Sequence, residues 1–190
     1  EEAWPLMRNA EELHDGLLTL GLMSAEEIER SGAQAALQQL IRDGRAVRMR
    51  PEGSAAARHL CTERLPCARA VFPDASMDPD PQLPPALAGE AWTPEEAASA
   101  LVRGRLDGSG PVSAGQLAEA LLLSPGTVER ALLQLESEGF VFRGRFCGEA
   151  AGELWCERRL LQRIHRYTID AHREMIRPVS LQAYALFLFG

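Results

Sequence analysis

Lysine is absent from this chain of 190 residues; every one of its 20 basic side chains is arginine. A loop of the form Gly-x-x-x-x-Gly-Lys-Ser/Thr, whose lysine reaches nucleotide phosphates, is therefore excluded, and an ATP-driven motor within these residues with it. Cysteine is scarce. Cys61, Cys67, Cys147 and Cys156 form no Cys-x-x-Cys pair and no histidine stands at a zinc-finger distance from them, which argues against a structural zinc site. They read as small core or surface residues of a reducing compartment. No apolar run approaches the roughly 20 residues that span a bilayer, and no secretory leader opens the sequence. The expectation is a cytoplasmic protein without a membrane partner.

Net positive charge is also lacking. The formal charge is −7, so the chain as a whole does not advertise nucleic-acid binding. The deficit is uneven: residues 1–92 hold 9 arginines against 15 acids, residues 93–190 hold 11 against 12. Exclusive use of arginine fits a genome that favours arginine codons. It fits equally a need for planar, phosphate-binding forks.

What is present is a repeated unit. Ala131-Leu-Leu-Gln-Leu-Glu-Ser-Glu-Gly-Phe-Val-Phe-Arg-Gly-Arg145 reads as a helix, a glycine stop and a strand. Val128, Leu132 and Leu135 form one apolar stripe, Gly139 can close the helix in a left-handed conformation, and Phe140-Val-Phe142 favours a strand. Ala36-Leu-Gln-Gln-Leu-Ile-Arg-Asp-Gly-Arg-Ala-Val-Arg-Met-Arg50 aligns with it without gaps. Leu37, Leu40, Gly44, Arg48 and Arg50 then match Leu132, Leu135, Gly139, Arg143 and Arg145. Helix, helix, turn, helix, hairpin is the order of a helix-turn-helix with a wing. The fold class expected is mainly α with small β-hairpins (α+β): two tandem winged helix-turn-helix modules followed by a C-terminal helical segment.

The boundaries follow from punctuation. The first module takes residues 1–72: a helical region over 4–22 offering Leu6, Leu13, Leu17, Leu18 and Leu20 to a core, a short helix capped by Ser24 and Glu27, a third helix from about Ala33 to Arg42, and a hairpin of strand 45–50 with a return near 58–65. Residues 73–92 are rich in proline and acids and read as a semi-extended linker or strap. Thr93-Pro-Glu-Glu96 restarts the chain with a cap and a first-turn proline. The second module, residues 93–156, adds caps at Ser113/Gln116 and Ser124, a wing tip near Gly148 and Gly152, and a return at Leu154-Trp155. Residues 157–190 hold an arginine-striped helix ended by Pro178, then the start of a further, nearly all-apolar helix. Such an apolar stop at Gly190 leads us to expect a piece of a longer polypeptide.

Trp155-Cys-Glu-Arg-Arg-Leu-Leu-Gln-Arg-Ile-His-Arg-Tyr-Thr168 resembles the segment after the winged helix in bacterial Lhr, the large helicase-related proteins of superfamily 2. Ile176-Arg-Pro-Val-Ser180 and the aromatic helix after it look like its continuation, and Trp4-Pro-Leu with Glu11-Glu-Leu-His-Asp15 is similar to the start of the preceding module. The resemblance implies a parent that is an ATP-dependent 3′-to-5′ DNA helicase acting in repair, using ATP and Mg. This chain, lacking the motor, would be a part of its C-terminal extension. That extension resembles tandem winged helices also found in certain alkyl-DNA glycosylases.

No catalytic residue and no metal ligand is marked, and no cofactor is expected in this part. The candidate DNA contacts are arginines. Arg143 and Arg145 alternate with Phe142 and Phe146, which places them on one strand face; Arg48 and Arg50 repeat the arrangement. Arg158, Arg159, Arg163 and Arg166 fall within one arc of the 157–177 helix, opposite Leu160, Ile164, Tyr167, Ala171 and Met175. Arg130 and Gln134 on the third helix could read base edges, although Leu133 and the nearby Glu129, Glu136 and Glu138 oppose it. Against each stands a plainer reading: solvated faces for the arginines, a packing role for the helix. Trp155 is expected in the core, His165 and His172 at its boundary. Three functions are carried forward. The first is a DNA-gripping module, for single-stranded or tailed DNA, attached to the remainder of the helicase chain. The second is a docking or oligomerisation module. The third, placed last, is a glycosylase-like base-excision domain, which needs a buried acid beside a base pocket that the sequence does not mark.

Overall fold

Caps and apolar periodicity account for most of the helices. The computed structural model describes residues 4–81, 83, 87, 89–146, 152–175 and 180–189. Helix α1 (Ala10–Leu20) starts where the Asn9 side chain accepts the Glu12 N–H and stops at Gly21, whose φ of 76° few other residues tolerate. Helix α2 (Ala25–Arg30) carries the reciprocal Ser24/Glu27 cap, α3 is Gln34–Arg42, and strands β1 (Ala46–Arg50) and β2 (Arg58–Cys61) follow. A 3-10 turn over Thr62–Arg64 leads into α4 (Leu65–Val71), and β3 is Ser76–Asp78. Helices α5 (Pro94–Asp107), α6 (Ala114–Leu121) and α7 (Pro125–Ser137) start at Thr93, Ser113 and Ser124, each accepting an N–H three residues on. Strands β4 (Val141–Gly144) and β5 (Leu154–Glu157), α8 (Arg158–Met175) and α9 (Leu181–Phe189) complete the order.

The architecture is therefore α+β, mainly helical, with a three-stranded antiparallel sheet in the order β2-β1-β3 and the two-stranded β4-β5 ribbon. Three helices and a hairpin occur twice in sequence. The aligned glycines Gly44 and Gly139 both have φ of 70°, and Leu37, Leu40, Leu132 and Leu135 are all buried, as are Ala46 and Val141 at the strand starts. The repeated unit thus has one local structure at both places.

Several expectations are corrected. The chain before Ala10 is not helical, and Leu6 is 70% exposed. Residues 62–71 are helical where a strand return to 65 was expected. Residues 76–78, inside the proline-rich stretch, pair with β1 as a third strand: Arg48 lies opposite Asp78 and Met49 opposite Met77. The ribbon strand ends at Gly144, so Arg145 lies beyond it. Gly148, Ile176–Val179, and with them Pro178, fall outside the described residues.

Packing groups residues 1–158 in one compact unit and 159–190 in another. Within the first, one cluster joins Leu13, Leu17, Leu20, Ile28, Leu37 and Leu40. A second cluster draws Val47, Met49, Leu60 and Leu65 from the first half and Leu101, Leu106, Leu121, Leu132 and Trp155 from the second. The halves share that interior, so apolar burial, the main favourable term in folding, is common to both. Polar ties reinforce it. Buried Arg58 donates to the carbonyls of Glu119 and Ala120 at 2.7 Å each. These lie in the last turn of α6, where carbonyls lack intrahelical partners and the helix dipole favours a cation. Arg64 donates to the Leu18 carbonyl at 2.9 Å. Glu27 and Arg105, both about nine-tenths buried, form an ion pair across 78 residues of sequence. Gly104 of α5 lies so close to α1 that a Cβ there would meet the Thr19 carbonyl oxygen at 2.1 Å.

Candidate nucleic-acid interface

Arginine geometry divides the candidate residues into two groups. Arg48 and Arg143 are engaged. Arg48 donates to the Asp78 carboxylate at 2.7 Å, across the β1–β3 pair that the sequence did not announce. Arg143 lies 3.5 Å from a Glu136 oxygen and 3.6 Å from one of Glu153. Its guanidinium also covers the Trp155 ring at 5.4 Å, the residue directly opposite it in the ribbon. Buried Val141 and Arg143 share a strand face, and Phe142, 44% exposed, points to the other. Trp155 is buried as expected, beneath that arginine rather than open to a stacking base.

Arg130 and Gln134 are half committed. Gln134 donates to Glu138 at 3.1 Å, and Arg130 reaches Thr127 at 3.4 Å. Both line a cleft of about 330 Å³ with Val71, Glu95 and Ala98, so this face of α7 looks towards α4 and α5 rather than standing clear.

Arg50, Arg145, Arg158, Arg163 and Arg166 form the second group. All five are exposed, and among the described residues none lies within ion-pair distance of a carboxylate. Arg163 and Arg166 lie on α8, and Arg158 begins it. Arg159 is exposed and has an interaction of its own. Exposed cations without carboxylates keep their full charge for phosphate oxygens.

Elsewhere among the described residues, His14, Cys61 and Glu63 bring one ligand atom each within 4.8 Å of one another. The buried acid Glu27 is saturated: its Oε2 accepts the Ser24 N–H at 2.9 Å and both oxygens receive Arg105. It lines a cleft of about 520 Å³ with Trp4, Pro5, Met7, Arg8, Arg30 and Arg105. No sequence pattern marks this cleft, because Glu27 reads locally as a capping residue only. His14, set beside Asp15 in sequence, instead meets Glu63 at 3.2 Å. Burial pushes the Cys61 thiol up to about 12, so it stays protonated and unreactive. Cys61, Cys67 and Cys156 are buried; Cys147 lies outside the described residues. His165 and His172 are exposed rather than at a core boundary. No described helix is long and apolar enough to cross a membrane.

A three-helix-and-hairpin unit thus occurs twice, and several exposed arginines have no carboxylate partner among the described residues. Residues 7–168 match the model of a family described as DNA glycosylase AlkZ-like, and the chain belongs to that family. Over 79 residues it is also 33% identical to a protein of Mycolicibacterium smegmatis named Lhr helicase/probable uracil glycosylase. That match covers 42% of this chain and 5% of the relative's length. The family favours the reading that the sequence had ranked last, base excision, over a non-catalytic helicase module.

Proposed function

We propose that this chain is the DNA-holding part of a base-excision repair protein. Five exposed candidate arginines, Arg50, Arg145, Arg158, Arg163 and Arg166, carry this reading: with no carboxylate partner among the described residues, they can neutralise phosphates without first breaking an ion pair, whereas Arg48 and Arg143 cannot. Membership of a glycosylase family supports DNA as the partner. In this reading residues 1–72 and 93–156 are winged helices joined through 73–92, and the partner is single-stranded or tailed DNA held by its backbone. Excision itself requires an acid free to act on a base or a water. Glu27, occupied by Ser24 and Arg105, does not supply it, and the role assigned to the five arginines is holding. The relative from M. smegmatis supports a second element, that the holding part belongs to an Lhr-type helicase whose motor would bind ATP.

The test is electrophoretic retardation of tailed DNA by the full chain, with Arg145, Arg158, Arg163 and Arg166 all changed to Glu. The wild type should show a steep salt dependence. The variant should lose roughly three units of slope on a log–log salt plot, given about 0.7–0.9 per phosphate contact. Unchanged retardation and slope would remove these residues from the interface.

A second reading, docking on another protein or another copy, has its own observation. On α9 the side chains of Leu181, Phe187 and Phe189 are each more than 80% exposed. Absence of DNA retardation, with loss of self-association when residues 181–189 are deleted, would favour it.

A further inference from the structure

Away from the arginines, one cluster brings three kinds of metal ligand together. His14 of α1, Cys61 at the end of β2 and Glu63 in the turn after it each present one donor atom, and the three atoms lie within 4.8 Å of one another. No spacing in the sequence marks the set, because His14 and Glu63 stand 49 residues apart. The fold closes that distance. Strand β2 pairs with β1 up to Cys61, which lies opposite Ala46. Thr62 then pins the turn: its N–H donates to the Arg45 carbonyl at 3.0 Å and its hydroxyl to the Gly44 carbonyl at 2.7 Å. Cys61 and Glu63, on either side of Thr62, meet α1 where His14 stands. His14 and Cys61 are buried, so two of the donors are held in place, while the Glu63 side chain remains 41% exposed.

The donor set is one nitrogen, one sulfur and one oxygen. Magnesium and calcium take oxygen ligands, whereas zinc accepts all three kinds. Around a tetrahedral zinc, bonds of about 2.0–2.3 Å put neighbouring ligand atoms roughly 3.3–3.6 Å apart. His14 Nε2 and Glu63 Oε2 are already 3.2 Å apart. Closing the remaining gap to Cys61 Sγ takes a shift of roughly 1 Å, which side-chain torsions supply. Two cations close to these groups are engaged elsewhere: Arg45 is bidentate to Glu11, and Arg64 donates to the Leu18 carbonyl. In the metal-free protein burial keeps the Cys61 proton in place. A coordinating cation reverses that balance, because a metal-bound thiol is deprotonated outright; the proton passes to solvent. Zinc with one thiolate and one carboxylate then carries no net charge, which suits a buried position.

We propose that His14, Cys61 and Glu63 bind one zinc ion, with water as its fourth ligand, and that the ion clips α1 to the turn after β2. Three protein ligands and one water are a recurrent zinc arrangement. The clip joins segments far apart in the chain, so it adds stability to the first repeat only while the ion is bound.

The experiment strips the full chain of metal with a chelator under reducing conditions and titrates it with Co2+, whose thiolate complexes absorb by charge transfer in the near ultraviolet. The wild type should develop that band together with the visible bands of a four-coordinate ion, saturating at one equivalent, and added Zn2+ should bleach both. Cys61→Ser should lose the charge-transfer band. His14→Gln should keep the band but weaken Co2+ binding by about tenfold or more. Free Zn2+ at about a hundred times its Kd should raise the wild-type Tm by roughly 5–10 °C and leave that of Cys61→Ser unchanged. A wild type that shows no charge-transfer band, or a band that survives Cys61→Ser, would overturn the proposal. Should Cys61→Ser fail to fold, Glu63→Gln, a change at a half-exposed side chain, serves instead, and unchanged Co2+ affinity in it would overturn the proposal equally. No DNA enters these measurements, so their outcome is separate from that of the DNA-holding reading.

Discussion

Replacing Gly104 by Ala should destabilise this protein, against the ordinary direction of such a change. In an open helix the substitution gains roughly 0.5–1 kcal/mol, because glycine loses the most backbone freedom on folding. Gly104 is inside α5, but the new methyl group would stand 2.1 Å from the Thr19 carbonyl oxygen and 3.3 Å from its carbon. The obstacle is backbone, so no rotamer change relieves it. The helices α1 and α5 would have to part by roughly 1 Å or more to restore ordinary contact. That separation would also loosen Leu101 and its close neighbour Gly21, and with them the interior shared by both halves. Overpacking of this kind costs about 1–3 kcal/mol, which exceeds the helix-propensity gain. A net loss of about 1 kcal/mol corresponds to a fall in Tm of roughly 2–4 °C for a protein of this size. Thermal and urea unfolding by far-UV circular dichroism would measure it. Gly115→Ala provides the control: Gly115 is exposed on α6 and its nearest neighbour would be 3.9 Å from the new Cβ, so that variant should gain up to about 1 kcal/mol. A Gly104→Ala protein as stable as wild type would show that α1 and α5 do not meet in this way.

Further outcomes are expected. Glu27→Ala leaves Arg105 buried without its carboxylate and removes the side-chain half of the α2 capping box, so it should cost about 3–5 kcal/mol in urea unfolding. Arg48→Gln and Arg143→Gln should each change DNA retardation by less than about threefold, since exposed ion pairs already occupy those side chains; a larger loss from either would return it to the interface. Burial holds the His59 imidazole below its ordinary 6.5, with Arg48 adding to the shift. The unfolded chain then takes up a proton near 6.5 that the folded protein resists, so this contribution is complete above that pH and lost as pH falls below it. Urea midpoints measured on both sides of 6.5 should show that slope, and His59→Gln should flatten it.

Local features were legible in the sequence, and distant ones were not. The reciprocal caps at Ser24/Glu27, Thr93/Glu96 and Ser113/Gln116 are three-residue patterns, and all are formed. So are the glycine stops at Gly44 and Gly139. These depend on backbone groups within one turn, which sequence spacing encodes directly. Arg143 shows the limit. Alternation gave its strand face, but whether that face held solvent or an indole depended on ribbon register and on Glu136 from the preceding helix. Arg48 was read as a free cation because its partner, Asp78, lies in a stretch whose prolines argued against regular structure. Glu27 looked like a cap and is one, yet its pairing with Arg105 requires knowing that α2 meets α5. Trp4 had no local signal as a cleft wall for the same reason. The uncompensated arginines on α8 were visible because one amphipathic helix shows both of its faces in the sequence.

The common interior has a consequence for how such a protein can change. Neither repeat remains a portable part: severing the chain within residues 73–92 would uncover Val47, Met49, Leu60 and Leu65 on one fragment and Leu101, Leu106 and Leu132 on the other. Recombination that exchanged a single repeat would have to match a stranger's side chains across that seam. Lineages carrying this architecture should therefore gain, lose and transplant the two repeats together, and vary instead in the loops at their tips.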